Sequence, residues 1–417
     1  MKNIEILTEK EYRSFFNKVS YNHFLQSYEW GQVAAERKQE PLYLGLKDAN
    51  GNIKAACLAL KKQVPFIKKN YYYSPRGFLI DYSDFDTLKE FTEAIKKYLK
   101  ENNGIYFKID PAIIYEEIDK DANPVKDGNN NYHIYNQLID LGYRHKGFNK
   151  LFENNQPRYT FRIDTTKPFS DIEKNMNKSF LKKVKKSYYY ELEITHDYDN
   201  DKFYELMNNI ANKDNFSGNS KKMHDTFDKV FKKSEMVEYF TIKIYPDKIL
   251  GKVKKELEQL RNDIEKGNLS QAKVNDAKEK IPRLEKDIAK FEPYAGKYPE
   301  GIISLIQICP KTSKGMWMLY IGNDDLATYT FAVNRDYYEA VKYASENNLE
   351  FLDLFGTVGD PHTKESNYAG IHEYKSNLGG TYIEFIGEFD LVANNFWYKV
   401  LPAIINIYRK TKKIFKK

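Results

Sequence analysis

Cysteine is almost missing from this chain of 417 residues: Cys57 in AACLAL and Cys309 in IQICP are its only two. Both stand in apolar runs, where a thiol behaves as a small core side chain, so neither a disulfide framework nor a metal-binding thiol pair is expected. The seven histidines form no HExxH or Cys/His spacing, and no bound catalytic metal is expected. No stretch reaches the ~20 apolar residues of a spanning helix, and MKNIEILTEKEY has no apolar core of signal-peptide length. The expectation is a reduced, cytoplasmic protein with a soluble body. The net charge of +7 is modest for this length, but the basic residues cluster, which points to anionic partners.

What the chain does have is a pattern stated twice. It is longer than the ~250–300 residues at which single cores stop growing, so more than one unit is expected. PLYLGLKDANGNIKAACLAL alternates around an Asn-Gly turn, a hairpin signal, with a third strand, YYYSPRGFLIDY, behind it. A helix, TLKEFTEAIKKYLKENN, then leads into the strand GIYFKIDP. The second half repeats the order, with IISLIQICPKTSKGMWMLYIG as a hairpin, RDYYEAVKYASENN as a helix and LEFLDLFG as a strand. KYLKENNGIYFKID and KYASENNLEFLDLF share KY and ENN at matching positions, which supports a duplicated α/β unit.

Residues 247–295 are of a different kind. Ile249, Val253, Leu257, Leu260 and Ile264, and then Val274, Ala277, Ile281, Leu284, Ile288 and Phe291, recur at three- and four-residue steps around GNLS. This predicts two antiparallel helices of ~18 residues, ~27 Å each, zipped along a narrow seam, with Pro282 kinking or restarting the second. The reading yields an N-terminal unit at 1–155, a second at 156–246 and 296–390, the arm at 247–295, and a basic amphipathic helix at 391–417. In that tail Lys399 is followed by six more basic residues and no acidic one, mixed with Trp397, Leu401, Ile404, Ile405, Ile407, Ile414 and Phe415. It suits an interfacial helix on an anionic leaflet, and equally a helix docking its apolar side on the protein. In NKSFLKKVKKSYYY, Lys178, Lys182, Lys185 and Lys186 share a helix face, with Lys183 alongside. They could hold a phosphate backbone or form a plain solvated face.

Taken in order, FLQSYEW, SPRG, the KIDP strand end, QPRYTFRID with its basic helix, IGNDDLATYTF, FGTVGD, EYK and IGEFDL resemble the FemABX family, and the arm resembles its FemA/MurM-like type. That resemblance implies two acetyltransferase-like (GNAT-like) domains carrying an inserted antiparallel coiled-coil arm. It also implies transfer of an amino acid, Gly, Ser or Ala, from aminoacyl-tRNA to the stem-peptide lysine amine of a lipid-linked peptidoglycan precursor. No cofactor is needed beyond the aminoacyl-tRNA co-substrate. The place of action would be the inner face of the plasma membrane, with the C-terminal helix on its anionic surface. The resemblance puts Lys375 of the Tyr374-Lys375 pair at the transfer site, with Tyr374 and Arg76 among the substrate-binding residues. One departure is that Trp30 is followed by GQVAAE, without the lysine found there in nucleotide-using members.

The chemistry limits the candidates further. An aminoacyl ester is already activated, so an uncharged amine must be aimed at it and the tetrahedral oxyanion stabilised, with no covalent nucleophile. A lysine amine arrives protonated, so a carboxylate should orient it and remove a proton. Asp110 is the candidate, although Asp-Pro is also a turn former, and Asp353 and Asp360 read more readily as turn formers. Tyr320 in MLYIGN either lines the acceptor site or packs. The alternative reading is a coenzyme A-dependent N-acyltransferase, against which stands the lack of an R/Q-x-x-G-x-G/A pyrophosphate loop.

Overall fold

The computed structural model describes residues 3–214, 219–267, 269–364 and 366–414. The first hairpin forms as its turn chemistry requires. Glu40–Lys47 and Ile53–Gln63 pair antiparallel, Asp48 Oδ1 accepts the N–H groups of Asn50 and Asn52, and Gly51 takes φ +84°. A seven-stranded sheet results, ordered Glu5–Ile6, Glu40–Lys47, Ile53–Gln63, Asn70–Ser74, Gly104–Ile109, Phe389–Val392 and Tyr143–His145. The helix Phe85–Glu101 buries Leu88, Phe91, Ile95 and Leu99 against it.

The duplication is written in the backbone as well. The helix Ala332–Glu346 leads to the strand Phe351–Asp353 as Phe85–Glu101 leads to Gly104–Ile109. Both helices end with the second asparagine of ENN left-handed, Asn103 at φ +55° and Asn348 at +57°, a conformation asparagine tolerates better than most residues. Each strand then lies parallel to a strand from ahead of its helix, Asn70–Ser74 in one unit and Gly315–Trp317 in the other.

Two departures from the sequence reading set the geometry of the site. The second hairpin is not a single ladder: Ile302–Pro310 pairs with Tyr320–Asn323, while Gly315–Trp317 between them runs along Phe351–Asp353 in another sheet. Gly315 permits this, since a Cβ there would lie 2.3 Å from the Phe351 ring. The second half therefore carries a four-stranded sheet and a five-stranded one. The two halves also exchange strands. Phe389–Val392 is inserted between Gly104–Ile109 and Tyr143–His145 in the first sheet, and Ile114–Glu117 pairs with Thr381–Phe385 in the five-stranded sheet. Alternation drives the insertion: Phe389 and Leu391 enter the first core beside Phe107, while Asp390 and the neighbouring Glu388 meet Lys108 at 3.3 and 2.6 Å. A further core joins Phe24, Leu25, Trp30 and Leu58 of the first half to Phe227, Phe231, Ile306 and Trp317 of the second, which fixes the halves against one another.

Pro246–Glu265 and Gln271–Phe291 form the helical hairpin, and its ion pairs Lys254–Glu292, Arg261–Glu285 and Lys280–Glu256 run antiparallel. Pro282 neither ends nor restarts the second helix. It is exposed, as is Lys278, whose carbonyl loses a partner there and remains open to water. The root of the arm packs on the tyrosines after the basic helix: Asp287 Oδ1 accepts from Tyr190 at 3.1 Å and Tyr329 at 2.8 Å, and Glu256 accepts from Tyr189 at 2.6 Å. The C-terminal helix, Asn395–Ile414, seats Leu401 with Trp397, Ile404 and Ile405 on Val64 and Ile105. For that side the docking alternative holds, and a membrane role for those four residues is set aside; Phe415 lies outside the described residues. Among the described residues no helix is long and apolar enough to cross a membrane.

Candidate active site at the junction of the halves

The exchanged strands and the shared core leave a cleft of about 380 Å³ between the halves, walled by His23, Arg76, Ile113, His133, Arg162, Trp317 and Phe351 among others. Three of its wall residues, His23, Arg76 and Trp317, also line a second crevice of only about 10 Å³ with Thr160, Asp353, Phe355 and Gly356. The upper part is cationic and aromatic, and the crevice is rimmed by carbonyls and a carboxylate.

Arg76 sits where the Asn70–Ser74 strand breaks into a turn, at φ +53°. Asp110, at the end of the next strand, holds that turn: its Oδ1 accepts the Arg76 backbone N–H at 2.6 Å and its Oδ2 accepts the Tyr73 hydroxyl at 2.6 Å. The guanidinium crosses to the second half, donating to the Pro157 carbonyl at 2.6 Å and lying 4.3 Å above the Phe385 ring. Asp110 is buried one layer behind the cleft wall. Burial raises its carboxyl to about 6, against the opposing pull of the Arg76 charge and the Tyr73 hydrogen bond.

Arg162 comes from FRID, the central strand of the five-stranded sheet. Its Nε and Nη2 donate to Asp353 Oδ2 at 3.3 and 3.1 Å, and its plane lies 4.3 Å above Phe351. Asp353 Oδ1 accepts from Thr160 Oγ1 at 2.6 Å and from the Phe355 N–H at 2.9 Å, so this carboxylate is a structural hub. His23 Nδ1 accepts the Leu25 N–H at 3.1 Å, which leaves Nε2 as the protonated nitrogen. Burial, with Arg76 and Arg162 nearby, keeps this ring neutral, its centroid 4.5 Å from that of Trp317 with the two planes tilted by 47°.

Lys375 projects from the helix Ser366–Ser376 into the same region. Its half-buried ammonium donates to the Phe355 carbonyl at 2.6 Å and the Gly356 carbonyl at 2.7 Å, the two residues that floor the crevice. Two of three N–H directions are thus taken, and one remains. Burial lowers its pKa to about 8, and the charge of Asp353 works in the opposite direction. A solvated surface stem is not what this lysine is.

The other candidates lie elsewhere. Tyr374 faces away into the second core, with its ring edge-to-face on Tyr337 at 5.2 Å. Tyr320 packs near His224, its hydroxyl accepting from Asn219 at 3.1 Å. Asp360 caps a turn by accepting the His362 N–H at 3.1 Å. Lys178, Lys182, Lys183 and Lys185 are exposed on the helix Lys178–Ser187, and Lys186 leans over Phe331 at 5.6 Å. None of these five meets a carboxylate among the described residues. His23, Arg162 and Trp317 were not singled out in the sequence; FRID carried the one usable signal, an arginine inside an aromatic, alternating strand.

A model of the FemAB family matches residues 7–405. The chain is 26% identical to the lipid II:glycine glycyltransferase of Staphylococcus aureus (strain MRSA252), over 98% of this chain and 99% of that protein. It is likewise 26% identical to aminoacyltransferase FemA of Staphylococcus epidermidis, over the same shares. The crystal structure of FemX superposes with a TM-score of 0.76 at 23% identity, covering 95% of this chain and 99% of that one, which shows a common fold.

Proposed function

The chain belongs to the FemAB family, and from that premise we propose that it moves an amino acid from aminoacyl-tRNA to the stem-peptide lysine amine of a lipid-linked peptidoglycan precursor. It is an aminoacyltransferase. In this reading its halves are two acetyltransferase-like units and the hairpin is a coiled-coil arm. The observation that carries the site is the grip of Lys375 on the Phe355 and Gly356 carbonyls, whose residues line a crevice that shares Arg76, His23 and Trp317 with the cleft.

Each group then has a task. Arg76 presents a cation over an aromatic ring, suited to a carboxylate of a stem peptide, while Arg162, its fork already on Asp353, adds a partly neutralised charge beside it. The acceptor lysine enters protonated and must lose a proton before it attacks the ester carbonyl. Asp110, at about 6, is matched to take a proton near neutrality once the Arg76 turn shifts to admit the amine. The attacking nitrogen forms its bond to the carbonyl carbon and the carbonyl oxygen becomes an oxyanion; on collapse the bond to the ribose oxygen breaks, and that oxygen leaves as a hydroxyl with the proton the attacking nitrogen sheds. The remaining N–H of Lys375 is directed at that oxyanion or at the ribose oxygen. The exposed lysines of Lys178–Ser187 lie one turn ahead of the tyrosines that anchor the arm, so helix and arm together form a basic flank for the tRNA. A protein working on a lipid-linked acceptor is expected at the inner face of the membrane.

The test is incubation of the full chain with a lipid-linked muropeptide and, in parallel, a panel of labelled aminoacyl-tRNAs or labelled acetyl-coenzyme A. Label reaching the acceptor from one or more charged tRNAs is the expected result. Label arriving only from the coenzyme would replace this reading with an N-acyltransferase.

A further inference from the structure

The C-terminal helix carries two apolar faces. Trp397, Leu401, Ile404 and Ile405 are spent on the first sheet. Phe396, Val400, Ala403 and Ile407 follow at steps of four, three and four, a second stripe turned away from that seat, with Phe396 66% and Ile407 57% exposed. Beside it stands the turn between Ile53–Gln63 and Asn70–Ser74, whose tip residue Phe66 is 72% exposed at φ +68°. The Phe66 ring meets Tyr408, the 38% exposed neighbour of Ile407, edge-on at 5.8 Å, so the turn adjoins the helix where its docked row meets the surface. Scattered exposed apolar side chains are ordinary, but a joined group rimmed mostly by charge of one sign is not.

The rim is basic apart from Glu40, which pairs with Lys61 at 2.9 Å in the groove that Lys68 also lines. Lys62, Lys68, Lys399, Arg409 and Lys410 are exposed, and none has a carboxylate partner among the described residues. Neither 61–70 nor 395–414 contains Asp or Glu. A second copy of this chain is disfavoured, because a self-complementary contact would bring these cations together. A nucleic acid would use the lysines and leave Phe66 and Ile407 in water. An anionic bilayer satisfies both, with cations at the headgroups and apolar side chains at the acyl boundary.

We propose that the turn 64–69 and the outer face of the C-terminal helix dock together on anionic phospholipid, with Phe66 as the inserted side chain. This deepens the peripheral placement given above and rests on that reading only for where the acceptor is met. Vesicle co-sedimentation of the full chain tests it, comparing phosphatidylcholine with phosphatidylcholine containing about one-third phosphatidylglycerol. Binding is expected to the anionic vesicles alone, and Phe66→Ser is expected to weaken it about 10-fold, the scale of withdrawing one large apolar side chain. Ile407→Ser should act in the same direction, and Lys62→Gln with Lys68→Gln should reduce the preference for the anionic vesicles. Thermal unfolding of Phe66→Ser, and its transfer to a water-soluble acceptor analogue, should match the wild type. Wild-type sedimentation by Phe66→Ser, equal binding to neutral vesicles, or retention on RNA without vesicle binding would each overturn the proposal. Failure of the wild type to transfer at all would instead count against the proposed reaction and leave the sedimentation result standing.

Discussion

At the scale of the residue, burial sets the chemistry of the two central groups in opposite directions. Asp110 is raised from 3.8 to about 6, so the folded state keeps its proton where the unfolded chain has lost it. The stability this contributes is full below pH ~3.8 and is lost as pH rises through about 6. Asp110→Asn should therefore flatten the fall in stability between pH 4 and 6, measured by denaturant unfolding at each pH; an unchanged slope would place that titration elsewhere. Lys375 is lowered from 10.5 to about 8, so its contribution is present above 10.5 and lost as pH falls through about 8. Sequence alone could offer Lys375 only through the aromatic-Lys motif, because its two carbonyl partners lie 19 and 20 residues away in a turn that no propensity places. Asp110 was legible as a strand-end carboxylate, but not as the anchor of the Arg76 turn. Tyr374 and Tyr320 show the converse: an aromatic beside a motif is more often core than site, and both pack.

At the scale of the element, the arm was plain in the spacing of Val253, Leu257 and Leu284, while its mooring was hidden in Asp287 and the tyrosines 189, 190 and 329. A deletion that tests the arm should spare that root. Replacing residues 258–283 by a short linker should leave the melting temperature within a few degrees and lower tRNA-dependent transfer ~10-fold or more. Full activity of that variant would make the outer arm dispensable. The C-terminal helix calls for the same care. Removing residues 396–417 would strip Leu401 from Val64 and Ile105, so lower stability is expected together with weaker vesicle binding. Point changes on the outer stripe separate those effects, and a truncated chain with wild-type unfolding would deny the helix its structural role.

At the scale of the whole molecule, the repeated order of elements is legible in the sequence but the exchange of strands is not, since it depends on pairing between residues some 280 apart, as Lys108 and Glu388 are. A fragment ending at residue 155 lacks Phe389–Val392, the strand between Gly104–Ile109 and Tyr143–His145. It should fail to give a cooperative unfolding transition, and supplying residues 156–417 in trans should restore one; a cooperatively folded fragment would show that the exchange is secondary. That entanglement holds the cleft in shape and brings Arg76, Arg162, Asp353 and Lys375 together from four distant segments. The role assigned to Lys375 is tested most directly by the single-turnover rate of transfer from saturating charged tRNA to the lipid-linked acceptor, wild type against Lys375→Met, across pH. The wild type should rise through about 6 as Asp110 ionises and fall above about 8 as Lys375 loses its proton. Lys375→Met should be slower by ~10²-fold or more, with no alkaline limb near 8, and Lys375→Arg should recover part of the rate. A Lys375→Met enzyme that transfers at a near wild-type rate, with the alkaline limb intact, would contradict it.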